Sequence, residues 1–217
     1  FANTKPVRVG NQAAEQRQND LMGEVILCLE TLLTDPRLAH LRGGGYFPLV
    51  HRLGEEARVA APTLDTGIWE FRQIPRAYTF SRAMCWVAIE RGAKLADHLG
   101  ECEHAARWRK IADEERELVL TRGYNAKLGF FTQALDGEYP DASLLLLPTL
   151  GIISATDPRF ISTLEAYERL LAPDGLMKRY INPDDFGDTS SAFTICSFWW
   201  CEALALMGRL DDAVALF

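Results

Sequence analysis

The spacing of its turns constrains this chain more than any single residue does. Three tight breaks centre on Gly100, on Gly151 with the following "IISATDP", and on Gly208, about fifty residues apart. Three long connectors alternate with them, at roughly 54–77, 123–139 and 172–190. The intervening segments have helical periodicity. Leu21, Val25, Cys28, Leu29, Leu32 and Leu33 form one apolar stripe, and Phe80, Met84, Val87, Ala88, Leu95 and Leu99 form another. A third runs through Ala105, Trp108, Ile111, Ala112, Leu118 and Val119, and Glu90 and Lys94 make a favourable i,i+4 pair on the preceding helix. The stretch "TDPRFISTLEAYERLL" places Asp157 as N-cap and Pro158 at the first helical position, and buries Phe160, Leu164, Tyr167 and Leu171. The last clear helix, "SAFTICSFWWCEALALMG", stops at Gly208. No segment alternates with period two for long enough to require a sheet. Helices joined tightly at one end and loosely at the other are αα-hairpins, so the expected fold is all-α, an α/α toroid of about seven or eight helices.

Composition excludes several functions. A net charge of -7 without a basic stripe argues against a nucleic-acid partner. The longest apolar run, "LLLLPTLGII" from Leu144, is too short to span a bilayer, so no membrane role is expected. Five cysteines lie in helical stretches without a CxxC, and the four histidines are scattered, which argues against a metal site or a disulfide framework. Reduced thiols point to a cytoplasmic protein, and nothing in the sequence calls for a cofactor. "RGGGYF" lacks the Lys-Ser/Thr of a phosphate loop and reads as a connector. The chain opens on Phe1 and closes within the amphipathic "LDDAVALF", and is expected to belong to a longer catalytic chain.

In a toroid of hairpins the long loops share one end, where function usually sits. They carry Trp69, Glu70, Phe71, Arg72 and Arg76, then Tyr124, Gln133, Asp136, Glu138 and Tyr139, then Lys178, Arg179, Tyr180, Asp184, Asp185 and Phe186. Rings interleaved with acids and arginines suit a neutral, hydroxyl-rich ligand. A sugar stacks its C–H face on a ring and exchanges hydrogen bonds with carboxylates and guanidinium groups. Glycosidic hydrolysis needs one carboxyl protonated to donate to the leaving oxygen and a second ionised. Glu70, between Trp69 and Phe71, fits the proton donor, because flanking rings that desolvate it would favour its neutral form. Arg72 and Arg76 either oppose that effect, hold sugar hydroxyls, or pair with Asp65.

The segments "GIWEFRQIPRAYTFSRAMCWVAIERGAKLAD", "FFTQALDGEYPDASLLLLPTLGIISATDPRF" and "SSAFTICSFWWCEALALMGRLDDAVALF" resemble glycoside hydrolase family 15, the glucoamylase-like enzymes with glucodextranase and trehalase members. The opening "KPVRVGNQAAEQRQNDLMGEV" is similar to that family too, so the resemblance covers essentially the whole chain. It implies an (α/α)6 barrel and inverting hydrolysis of α-glucosidic bonds from non-reducing ends, with a carbohydrate as partner. It places the general acid on Glu70 and suggests that Trp69, Arg72, Arg76 and Asp141 line or brace the sugar pocket, with Tyr139 on the neighbouring loop. Asp141 has a structural alternative, as N-cap of the helix beginning "ASLLLL".

Two departures from the family pattern stand out. The family's general base precedes the "AF" of the last helix as E-x-A-F, and here that position is Ser190. A serine is not a base at neutral pH, so either Asp185 or Asp188 substitutes, or the sequence has been altered at this position, or the protein hydrolyses poorly; loss of a general base commonly costs about 10²–10⁴-fold in rate. The second departure is extent. The resemblance implies twelve barrel helices, so residues 1–217 are expected to form a single partial catalytic domain. Its expected partner is the remaining half of that domain, without which apolar surface is exposed. A trehalase of the same family, or a non-catalytic carbohydrate-binding helical domain, are the competing functional readings.

Overall fold

The computed structural model describes residues 10, 14, 16–41, 44–71, 74–184, 187 and 191–217. Among these, the helices are α1 (Leu21–Thr34), α2 (Phe47–Ala60), α3 (Thr79–His98), α4 (Cys102–Arg122), α5 (Leu147–Leu150), α6 (Pro158–Leu171), α7 (Thr194–Leu206) and α8 (Leu210–Leu216). Short 3-10 segments cover Pro36–Leu41 and Ala142–Leu146. They form four successive hairpins: α1 with α2, α3 with α4, the second 3-10 segment and α5 with α6, and α7 with α8.

The tight connectors close as expected. Gly100, Gly151 and Gly208 have φ of 87°, 83° and 81°, a left-handed backbone that glycine adopts without a Cβ clash. Asp157 caps α6 by accepting from the Arg159 N–H at 2.9 Å, and Phe160, Leu164, Tyr167 and Leu171 are fully buried beneath it. Burying each such side chain stabilises the fold by about 2 kcal/mol. Glu90 and Lys94 pair at 2.9 Å. Helix α3 packs against α1, α2 and α4, and is buried nearly all round, from Thr79 to Ala96.

Two local expectations are corrected, and one local feature is added. The first long connector does not begin at residue 54, because α2 runs on to Ala60. Gly54 lies inside α2, where its missing side chain admits the Trp108 ring: a Cβ there would lie 2.9 Å from it. The apolar stripe of α1 is also partly misplaced. Leu21 and Cys28 are exposed, whereas Gly23, Ile26 and Leu33 are buried. This helix is apolar round most of its circumference, so sequence spacing allows two faces and contact with α3 selects one. Finally, two two-residue strands, β1 (Tyr124–Asn125) and β2 (Phe130–Phe131), pair antiparallel within the second long loop. They are too short to show as alternation and leave the fold all-α.

On α7 and α8, Ile195, Phe198, Leu206, Leu210, Val214 and Phe217 are exposed. Phe198 and Phe217 are in ring contact, with centroids 5.9 Å apart.

Candidate active site

The three long loops and the segment before α1 meet at one end of the hairpins. The loop 61–78 holds Glu70. It is fastened first by Asp65, a buried carboxylate that accepts from the Asn19 N–H at 3.0 Å and the Ser81 hydroxyl at 2.7 Å. Residues Asp65 and Arg76 pair through reciprocal backbone bonds of 3.1 Å, so the chain closes on itself at the base of the loop. Asn19 adds bonds to the Ala60 carbonyl and the Thr63 hydroxyl, and the Arg17 carbonyl accepts both the N–H and the hydroxyl of Thr66.

The tip of the loop is a tight reversal. Glu70 has φ of 59°, and its N–H donates to the Gly67 carbonyl at 3.0 Å. A glutamate in left-handed backbone stores strain of about 1 kcal/mol, and such outliers cluster at functional sites. The two flanking rings hold it there. Phe71 is buried, stacked on Tyr78 with centroids 5.4 Å apart and tilted against Tyr180 at 5.0 Å. Trp69 donates its indole N–H to both oxygens of Asp141, at 3.0 and 2.9 Å. Its ring lies 6.0–6.2 Å from the rings of Tyr180, Phe193 and Trp199.

Neither ring encloses Glu70, which is exposed. The desolvation expected from its sequence neighbours is therefore not supplied among the described residues. Both rings are consumed in anchoring the loop, and adjacency in sequence does not carry over into contact.

Asp141 links two of the loops. It caps the 3-10 segment by accepting from the Ser143 N–H and hydroxyl, at 2.9 and 2.7 Å, and also accepts from Gln133 at 3.1 Å and from Trp69. Burial pushes its carboxyl up, and these donors pull it back down. The capping role and the bracing role expected from sequence thus coexist in one side chain. From the outer layer, Tyr167 on α6 donates its hydroxyl to the Phe131 carbonyl at 2.6 Å and accepts the Asp141 N–H at 3.2 Å.

The third loop brings Arg179, whose backbone carbonyl accepts from the Ala142 N–H at 2.8 Å. Its guanidinium sits 5.6–5.8 Å from the ring centroids of Trp69, Tyr180 and Phe193, within cation–π range. Tyr180 donates its hydroxyl to Asp184. Sequence reasoning placed Arg179 on this loop without assigning it to the site; its position beside Tyr180 in an aromatic-rich connector was the available signal. Tyr139 is half-exposed, with its carbonyl taking the Gln133 N–H at 2.8 Å, and Arg76 is partly buried. Arg72, Asp185, Asp188 and Ser190 lie outside the described residues. Among the described residues, no cluster of three or more His, Cys, Asp or Glu has the arrangement of a metal site.

The sequence profile of the "Glycosyl hydrolases family 15" matches residues 1–217. The chain belongs to this family. The trehalase of Mycobacterium tuberculosis is 38% identical over all of the chain, which spans 32% of that protein. The chain thus covers about a third of the length of such curated relatives. Among solved structures, a wild-type glycosidase superposes with a TM-score of 0.75 at 19% identity, over 95% of this chain and 54% of that one. A bacterial glucoamylase complexed with acarbose gives 0.66 at 18% identity, over 93% and 34%. The family 15 architecture is an (α/α)6 barrel, and the four hairpins described above are part of it.

Proposed function

We propose that the protein is an inverting, glucoamylase-like glycoside hydrolase that cleaves an α-glucosidic bond from the non-reducing end, with Glu70 as general acid. One observation carries this reading. Glu70 stands in strained left-handed backbone at the tip of a loop that Trp69, Asp141 and Phe71 hold from both sides. It delivers a proton to the glycosidic oxygen while a water attacks the anomeric carbon from the opposite face. Trp69, Arg179 and Phe193 offer ring faces and a cation to the sugar, with Arg76 and Tyr139 beside them, and Arg72 is the further arginine proposed to hold sugar hydroxyls. The base is a carboxylate about 6.5–9.5 Å from Glu70, the separation that leaves room for the water. Asp185 or Asp188 takes that role where the family motif has a glutamate and this chain has Ser190.

Trehalose is the second substrate reading, and the trehalases among the relatives at 31–38% identity favour it. The anomer of the product separates the possibilities. Inverting cleavage of trehalose releases one β-glucose and one α-glucose, whereas inverting cleavage of maltose or isomaltose frees β-glucose from the non-reducing residue. Proton NMR during the first turnovers reads this directly. Release of α-glucose alone from trehalose overturns inversion, and no hydrolysis of any of the three favours a non-catalytic carbohydrate-binding domain. Replacing Ser190 with Glu raises turnover if that position is a vacated base.

Residues 1–217 act in this proposal as part of a single catalytic domain whose remaining hairpins cover the apolar faces of α1, α7 and α8. The location proposed is cytoplasmic, supported by five cysteines that are all unpaired. Among the described residues no helix is long and apolar enough to cross a membrane.

A further inference from the structure

Two side chains of α6 reach past their own helix to hold the second long loop. Thr163 and Tyr167 lie one turn apart on the same face, and both are fully buried. Between them they take both main-chain groups of Phe131 on β2. Its N–H donates to the Thr163 hydroxyl at 3.0 Å, and its carbonyl accepts from the Tyr167 hydroxyl at 2.6 Å. The Tyr167 oxygen also accepts the Asp141 N–H at 3.2 Å. One hydroxyl thus ties together buried residues 36 and 26 positions away from it in the chain. Packing alone asks only for a ring at this position, because an unbonded hydroxyl is unfavourable in an apolar core. Burial pushes the Tyr167 hydroxyl well above its ordinary value, so it keeps the proton that it donates to Phe131.

Asp141 is held by its main chain as well as by its carboxylate. Its N–H rests on Tyr167, its carbonyl accepts from the Leu144 N–H at 3.0 Å, and the next N–H, of Ala142, donates to the Arg179 carbonyl at 2.8 Å. Fixing the main chain at this residue fixes the direction of a short side chain. The two oxygens of that side chain receive the Trp69 indole N–H, at 3.0 and 2.9 Å, and Trp69 adjoins Glu70 at the loop tip. We propose that Tyr167 is a positioning residue for the sugar pocket: from α6 it fixes the Asp141 main chain and, through the Asp141 carboxylate, the placement of Trp69 and of the Glu70 tip. The inference rests on the reading of Glu70 as the general acid. Tyr167 is fully buried and cannot reach a sugar, so it acts only through Asp141. Thr163 holds the same loop from the same face but makes no bond to Asp141 among the described residues, which makes it the control.

The test compares Tyr167→Phe with Thr163→Val in the full-length protein, on whichever glucoside it hydrolyses. Each variant leaves one main-chain group of Phe131 unpaired and lowers the urea midpoint, but only Tyr167→Phe frees the Asp141 N–H. In Tyr167→Phe the indole N–H resonance of Trp69, assigned by its loss in Trp69→Phe, shifts from its wild-type position. In the same variant kcat falls about tenfold with a smaller change in KM, since misplacing a reacting group by about 1 Å costs up to about 10²-fold. In Thr163→Val the resonance and kcat stay near wild type. An unmoved Trp69 resonance or an unchanged kcat in folded Tyr167→Phe overturns the proposal, and so do equal effects of the two variants, which is what a purely structural role gives. Should Tyr167→Phe not fold, amide hydrogen exchange of the wild-type protein decides. The Asp141 N–H is expected to exchange as slowly as the amides within α6, and exchange at the rate of an open loop overturns the clamp. A fully active Glu70→Gln enzyme sinks the acid reading itself, whereas an inactive one combined with an unmoved Trp69 resonance in Tyr167→Phe sinks only the role of Tyr167.

Discussion

At one end of the hairpins the chain reverses around Gly100, Gly151 and Gly208, each at positive φ, with open space where a Cβ would sit at Gly100 and Gly208. At the other end it wanders through long loops and buries Asp65 and Asp141, each surrounded by donors from distant segments. The same helical unit therefore ends in two unlike ways. A glycine closes a hairpin at small cost and asks nothing of its neighbours. A buried carboxylate is unfavourable by itself, and becomes tolerable only when several loops converge to satisfy it. That convergence is what holds the Glu70 loop in one place.

The comparison can be broken at its strongest point first. Glu70→Gln should lower kcat by about 10²–10⁴-fold on the glucoside that the NMR assay identifies, with little change in thermal stability. Next comes the burial of Asp20. Its ordinary value of 3.8 rises to about 6 on folding, so the folded state binds more protons than the unfolded one between these values. Stability therefore falls as pH rises through that window and stays lower above it. Asp20→Asn should then gain up to about 3 kcal/mol in urea denaturation at pH 8, with the gain gone below about pH 4.

Trp69→Phe removes the indole donor from a buried carboxylate. It should cost about 2 kcal/mol of stability and reduce turnover as well, since Asp141 loses its tie to the Glu70 loop. Gly100→Ala forces a Cβ into left-handed backbone and should cost about 1 kcal/mol while leaving turnover alone. If Gly100→Ala impaired turnover as much as Trp69→Phe, the functional distinction between the two ends would fail.

The hairpin architecture was legible in the sequence because its punctuation is local: a glycine after a periodic run, or an Asp-Pro pair ahead of one. The cap at Asp157 and the four buried side chains of α6 follow from such rules. What escaped was decided by tertiary contact. The first long connector was expected from about residue 54, and nothing local shows the Trp108 ring that needs the missing side chain of Gly54 within α2. The face of α1 was ambiguous because apolar residues surround it. In the candidate site, Glu70, Trp69 and Asp141 were found from residue types and resemblance, but the bond between the last two spans 72 positions and has no local signature. The rings beside Glu70 suggested a shielded acid, and they turned out to be anchors for the loop. Asn19 and Ser81 were invisible as supports, because a buried hydrogen-bond partner reads in sequence as an ordinary polar residue.

The adjoining indoles of α7 have a mechanical consequence. Trp199 rests against Trp69 at the site, while Trp200, the next residue on the helix, donates to Glu168 on α6 at 3.1 Å. Arg209, at the start of α8, contacts the same carboxylate oxygen. Consecutive helical side chains diverge by roughly 100°, so α7 works like a key with teeth cut on two sides. It cannot roll to relieve one contact without withdrawing the other, so the register of Trp199 against Trp69 is locked to the ties that α7 and α8 make with α6.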